Sequence, residues 1–136
     1  MEAALSNAEA EDLLNGRGMG LALAAELNGY PGPMHVLELA EELSMTAEVH
    51  QRTQALFAAM KEEAIEIGKR VVAEELTLDR LFAEGGANNA AVERATNRVG
   101  DARARLRAAH LKAHIAMRDL LTPEQVVRYE QLRGTR

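Results

Sequence analysis

The sequence predicts an all-α protein, a long antiparallel helical hairpin with short flanking helices, and three observations carry that expectation. Ala (25 residues) and Leu (18) dominate the apolar part of the 136-residue chain, whereas there are two Tyr, two Phe, no Trp and no Cys. Such a composition favours helices joined along narrow seams over sheets or the wide core of an α/β enzyme. Two long proline-free segments repeat apolar residues at alternating spacings of three and four. Between them lies the clearest break in the chain, Glu84-Gly85-Gly86-Ala87-Asn88-Asn89.

Taken in order, Ser6 followed by Glu9 is a capping-box pattern, and Asn15-Gly16 stops the short helix that it starts. Gly16, Gly18 and Gly20 resemble half of a phosphate-cradling loop, but no strand precedes them, so they read as a connector. A short helix is expected over Leu21 to Leu27, then a turn through Asn28-Gly29-Tyr30-Pro31-Gly32. Pro33 stands at the first position of an amphipathic helix reaching Leu43, with Met34, Leu37 and Val36 inward. Ser44 and Thr46 are the candidate caps for the first long helix, Ala47 to Phe82. Its seam is Phe57, Met60, Ala64, Ile67, Val71, Glu74, Leu78 and Leu81, with Glu74 the polar intruder.

After the break, Val92, Ala95, Val99, Ala102, Leu106, Ala109, Ala113, Ala116 and Leu120 form the second seam. Two helices rising equally from a turn near Gly86 bring Met60 opposite Ala113 and Glu74 opposite Val99, flanked by Arg98 and Arg103. Thr122-Pro123-Glu124-Gln125 then supplies an N-cap, an N1 proline, an early acid and an N3 glutamine, and the final helix turns Val126, Tyr129 and Leu132 inward. The chain divides into a 1–32 segment of short helices and a 33–136 hairpin domain.

Net charge is −5, but it is unevenly spread: residues 1–84 hold 6 basic and 16 acidic side chains, residues 85–136 hold 10 basic and 5 acidic. The halves are therefore complementary. An acidic chain whose basic stripe lacks interleaved aromatics excludes nucleic-acid binding. Absent cysteines exclude disulfides, Cys-ligated metals and thiol nucleophiles. No apolar run is long enough for a membrane span, and the N-terminus, Met1 to Asn7, does not read as a leader.

No Ser–His–Asp set or paired acid and base emerges, so no enzyme is expected. His110 and His114 lie one helical turn apart, the hairpin register brings Glu63 opposite His110, and Met117 is a turn further on. These four could hold zinc, nickel or copper; the alternative is two solvated or interfacial histidines. His35 and His50 read as turn and surface residues. The basic group Arg94, Arg98, Arg103, Arg105 and Arg107 either lines a surface for partly unfolded chains or pairs with Glu62, Glu63, Glu66, Glu74 and Glu75 across the hairpin.

The box Leu121-Thr122-Pro123-Glu124-Gln125, preceded by Met117-Arg118-Asp119-Leu120, resembles the Leu-Thr-x-x-Gln signature of the Spy/CpxP family of envelope-stress proteins. Met45-Thr46-Ala47-Glu48-Val49 is similar to its degenerate earlier copy. The resemblance covers roughly residues 33–133, with Leu121, Thr122 and Gln125 as the motif residues. It implies a cradle-shaped antiparallel homodimer in the periplasm that acts as an ATP-independent chaperone, a stress-sensor inhibitor or a metal sensor. Phe57, Phe82, Arg98, Arg103, Arg105 and Arg107 are then the candidate client-binding residues. Metal-sensing relatives carry histidines where this chain has Val36 and Ala40, and of their later His-x-x-x-Met pair only Met117 is kept. A ligand-free structural coiled-coil subunit is the third possibility. An isolated hairpin would leave Phe57, Leu76, Phe82 and Leu111 poorly covered, which independently favours a second copy.

Overall fold

The computed structural model describes residues 5–134. The N-terminal stretch read above for a leader falls in part on residues 1–4, outside the described residues. Six helices and no strand occur among the described residues: α1 (Asn7–Leu14), α2 (Leu23–Glu26), α3 (Pro33–Glu38), α4 (Ala47–Ala83), α5 (Asn89–Leu120) and α6 (Pro123–Arg133). The all-α hairpin expectation holds. Helix α4, at 37 residues, is about 55 Å long. It pairs antiparallel with α5, as the cross-helix contacts Arg70–Asp101 and Arg103–Glu75 record.

Local chemistry sets the helix starts. Ser6 Oγ accepts the Glu9 amide at 3.0 Å, Thr46 Oγ1 the Val49 amide at 3.2 Å and Asn88 Oδ1 the Ala91 amide at 2.9 Å. Each satisfies an amide that a helix start leaves without a partner. Only half of the Ser6–Glu9 box is made, because the Glu9 carboxylate turns to Arg103, 3.8 Å away. Gly85 takes the left-handed conformation (φ 75°) that the hairpin turn requires and that costs glycine nothing.

Two expected elements are shorter than their sequence suggested. Helix α2 spans four residues rather than Leu21 to Leu27, and α3 ends at Glu38 rather than Leu43. Leu39 leaves helical geometry (φ −106°, ψ 18°) and Ser44 is left-handed (φ 52°). The resulting turns let Leu43 point inward beside Val36 while Met34 is exposed. Val36, not Met34, is the inward residue of α3.

The described residues form two compact units. One joins the residues up to Met19 with Lys61–Ala108; the other joins Gly20–Met60 with the residues from Ala109 onward. The segment before residue 33 is thus shared between them.

In the first unit the seam closes on Ala64, Val71, Ala95, Ala102 and Leu106, all buried. Helix α4 buries a second stripe there, Gly68, Val72 and Glu75, because α1 lies against it. A Cβ at Gly68 would collide with the backbone carbonyl of Leu13. This packing corrects the placement of the polar intruder: Glu75, not Glu74, is the buried carboxylate, and Arg103 reaches it at 2.7 Å.

In the second unit Val36, Leu43, Met117 and Tyr129 form the buried cluster. Leu39, Met45, Leu56, Leu120, Leu121 and Leu132 pack around it.

Candidate functional site

Two arrangements of polar side chains are concentrated in the second unit. The first is the start of α6. Thr122 adopts extended geometry at the N-cap (φ −77°, ψ 159°), its Oγ1 accepts the Gln125 amide at 3.1 Å, and its own amide donates to Gln125 Oε1 at 2.9 Å. That reciprocal pair fixes the orientation of the Gln125 side chain. Its Nε2 then donates to the Leu43 carbonyl at 3.0 Å, a group 82 residues away in sequence.

The identity of the box follows from this third bond. Glutamate at 125 would complete the cap equally well but has no proton to give Leu43, and its carboxylate would face a carbonyl oxygen. Glutamine does both. Leu121, half-buried, packs on the apolar cluster, so Leu, Thr and Gln together clamp α6 to the turn after α3. The earlier copy keeps the Thr46 cap, but Val49 has no side-chain donor for a second clamp.

The second arrangement is a carboxylate held by an imidazole and a phenol. Glu26 Oε1 lies 3.3 Å from His114 Nε2, and the Tyr129 hydroxyl donates to Oε2 at 3.0 Å. His114 Nδ1 donates to the His110 carbonyl at 2.8 Å, which assigns a proton to that nitrogen because a carbonyl only accepts. A hydrogen bond between Nε2 and Glu26 then needs one further proton, carried by either partner. Burial opposes ionisation of Glu26, but the bonds from His114 and Tyr129 and the nearby positive charge outweigh it. The carboxyl therefore sits below its usual range. Burial, reinforced by Glu26, pushes the Tyr129 phenol well above its ordinary value.

Gly32 makes room for this group. A Cβ there would come within 2.7 Å of His114 Nε2, closer than real side-chain carbons approach, and within 3.0 Å of Glu26 Oε1. His110 is buried beside the network, and its Nε2 has no hydrogen-bond partner. Burial, and secondarily the charge of His114, lowers its affinity for a proton.

Of the four residues considered for a metal, His110 and His114 are buried side by side on α5. Met117 instead fills the apolar cluster, and Glu63 is exposed. The carboxylate that meets His114 is Glu26. Among the described residues no group of three or more His, Asp or Glu is arranged to hold a metal ion. His35 is half-buried, near Glu38 and Arg133 at 3.3 Å each, and is more engaged than a turn residue.

The candidate client-binding residues separate. Phe82 is exposed and Phe57 half-buried. Arg103 binds Glu75, while Arg105 pairs within its own helix with Asp101 at 3.1 Å. Arg94, Arg98 and Arg107 make no ion pair among the described residues. Pairing across the hairpin therefore accounts for Arg103 alone of the five arginines; Asp101 is met by Arg70 as well, at 3.0 Å.

Sequence reasoning missed Glu26, Gly32 and the Leu43 carbonyl. A trace was present, since Glu26 interrupts the small apolar run from Leu21 just before a Pro-Gly-Pro turn. Its partners, however, lie on helices far along the chain. No curated protein and no solved structure matches this chain. The family model described as LTXXQ motif family protein matches residues 33–133, from the first residue of α3 to the last of α6, and with that match, which includes the box at the start of α6, the chain belongs to the LTXXQ motif family.

Proposed function

We propose that this chain is a periplasmic, non-enzymatic binding protein of the envelope-stress type, an ATP-independent chaperone or stress adaptor that works as an antiparallel homodimer. Its partners are partly unfolded proteins or a sensor domain. Family membership supports the class, and no helix among the described residues is long and apolar enough to cross a membrane.

The observation that carries the reading is the far part of the hairpin. Phe82 is 62% exposed, while Leu78, Leu81, Val92 and Val99 are only half-buried. Arg94 and Arg98, on the same stretch, make no ion pair among the described residues. Apolar groups interspersed with available cations suit weak contacts to many different chains rather than one tightly fitted partner. The test is light scattering from an aggregating, chemically unfolded client. A few molar equivalents of the protein should slow it, and a Phe82→Ala/Arg98→Ala variant should lose at least half of that effect while remaining helical. A wild-type protein without effect on aggregation defeats the chaperone form.

One observation favours a second reading, metal capture. His110 Nε2 is buried, unpartnered and one turn from His114, and a zinc, nickel or copper ion would supply the partner it lacks. Titration with each ion decides it. Uptake by a His110→Ala/His114→Ala variant equal to wild type removes this site.

A further inference from the structure

The segment Gly20 to Tyr30 differs from everything around it in how it is held. Its backbone hydrogen bonds stay within itself: Leu23 donates to Gly20, Glu26 to Ala22, Leu27 to Leu23, and Asn28 and Tyr30 to Ala25. The Asn28 side chain also turns inward, to the Ala24 carbonyl at 2.7 Å. Helix α2 within it has no side-chain cap and no buried residue, and Leu23 is 57% exposed. Near its ends stand two left-handed glycines, Gly20 (φ 72°) and Gly29 (φ 79°), where the chain can swing at little steric cost.

Besides the burial of Ala22 and Gly29, what fastens this segment is side-chain chemistry at two points. Glu26 is received by the Tyr129 hydroxyl and His114 Nε2, and the Tyr30 ring lies under the Arg118 guanidinium at 4.3 Å. A segment bonded internally, with few buried residues, is of the kind that opens locally without global unfolding. By contrast Pro31, Gly32 and Pro33 are buried and form a fixed hinge at the start of α3.

We propose that Gly20 to Tyr30 is a releasable strap whose principal lock is the Glu26 carboxylate. When the strap lifts, His114 Nε2 and the Tyr129 hydroxyl lose their cover, while α3, α5, α6 and the Gln125 clamp stay formed because none of their own bonds passes through it. The strap precedes the family-matched region, which starts at residue 33, and none of the clamp residues lies in it.

Hydrogen exchange read by mass spectrometry on the full chain tests this. Glu26→Ala should speed exchange of the strap amides at least tenfold and leave α3, α5 and α6 at wild-type rates. Tyr129→Phe, which keeps the ring and removes the donor, should give a smaller effect in the same place. Limited proteolysis provides the second measure, with first cleavage moving to the strap in Glu26→Ala. Unchanged strap exchange in both variants overturns the proposal. So does an equal loosening of α5 and α6, which would make Glu26 an ordinary structural residue of the core.

Discussion

In the unit that contains α1, the helix pair closes on Ala64, Ala95 and Ala102, and its buried carboxylate, Glu75, is met directly by Arg103. In the unit that contains α6, Met117, Tyr129, Val36 and Leu43 fill the centre, and the buried polar groups include two histidines, one with an unpartnered nitrogen. Small side chains bring two helices close but fill little volume. A third helix must then seat on glycine, and beyond the seam that α1 covers, the hairpin stays half-exposed. Large side chains instead define a cluster of fixed shape, to which the Gln125 clamp fastens α6. One unit suits presentation of a surface; the other fixes geometry.

That contrast is sharpest in the response to lost volume. Met117→Ala removes a fully buried side chain from the large-residue cluster and should cost about 2–5 kcal/mol in urea unfolding. Phe82→Ala, a larger deletion but on an exposed side chain, should change stability by less than about 0.5 kcal/mol. Equal costs at the two positions would mean that the hairpin tip is covered in solution.

The small-residue unit should instead be sensitive to added volume. Gly68→Ala improves helix propensity by about 1 kcal/mol, yet the new methyl meets the Leu13 carbonyl, and overpacking of this kind costs about 1–3 kcal/mol. A net loss of about 1 kcal/mol is expected, with amide protection falling in α1 first. Net stabilisation would show that α1 is not seated on α4.

The clamp should respond on a similar scale. Gln125→Glu preserves the cap but leaves Leu43 facing an acceptor, at a cost of about 1–2 kcal/mol. Gln125→Ala should cost more, because it also strips the Thr122 amide of its partner. If Gln125→Glu were neutral, the box would be a helix cap and nothing else.

How much of this was legible follows from the range of each interaction. Thr122-Pro123-x-x-Gln125, Asn88 and Thr46 act within a few residues, so the helix starts can be read directly, and seam periodicity placed Ala64, Val71, Ala102 and Leu106 inside. The intruder was misplaced by one residue because α4 buries two stripes, and only the docking of α1 reveals the second. Helix α3 is shorter than its apolar pattern because Leu39 and Leu43 continue that pattern through turns closed by a left-handed Ser44. Glu26 meets His114 across 88 residues, and no local pattern encodes such a pairing. Gln125 was read as the reciprocal half of a cap, and its bond to Leu43 is equally non-local.

The effect of pH is graded, and it should separate the two units. All four histidines, His35, His50, His110 and His114, belong to the unit with α6. His110 binds a proton less readily in the folded protein than its ordinary value allows, through burial and then the charge of His114. Above about pH 6.5 the imidazole is neutral whether folded or not, and no stability is lost through its protonation. As pH falls below that value the unfolded chain takes up a proton that the folded one resists, so stability is lost until the folded value is passed, at no more than about 1.4 kcal/mol per pH unit for one proton. Glu26, whose folded value is depressed, adds its own loss only in the more acid carboxylate range. Hydrogen exchange at pH 7.0 and 5.5, corrected for the intrinsic rate, should therefore show α6 and the end of α5 loosening while α1 and the Ala64–Ala102 seam keep their protection. His110→Gln should abolish the loosening between those two pH values, and a variant that loosens as much as wild type would place the acid sensitivity elsewhere.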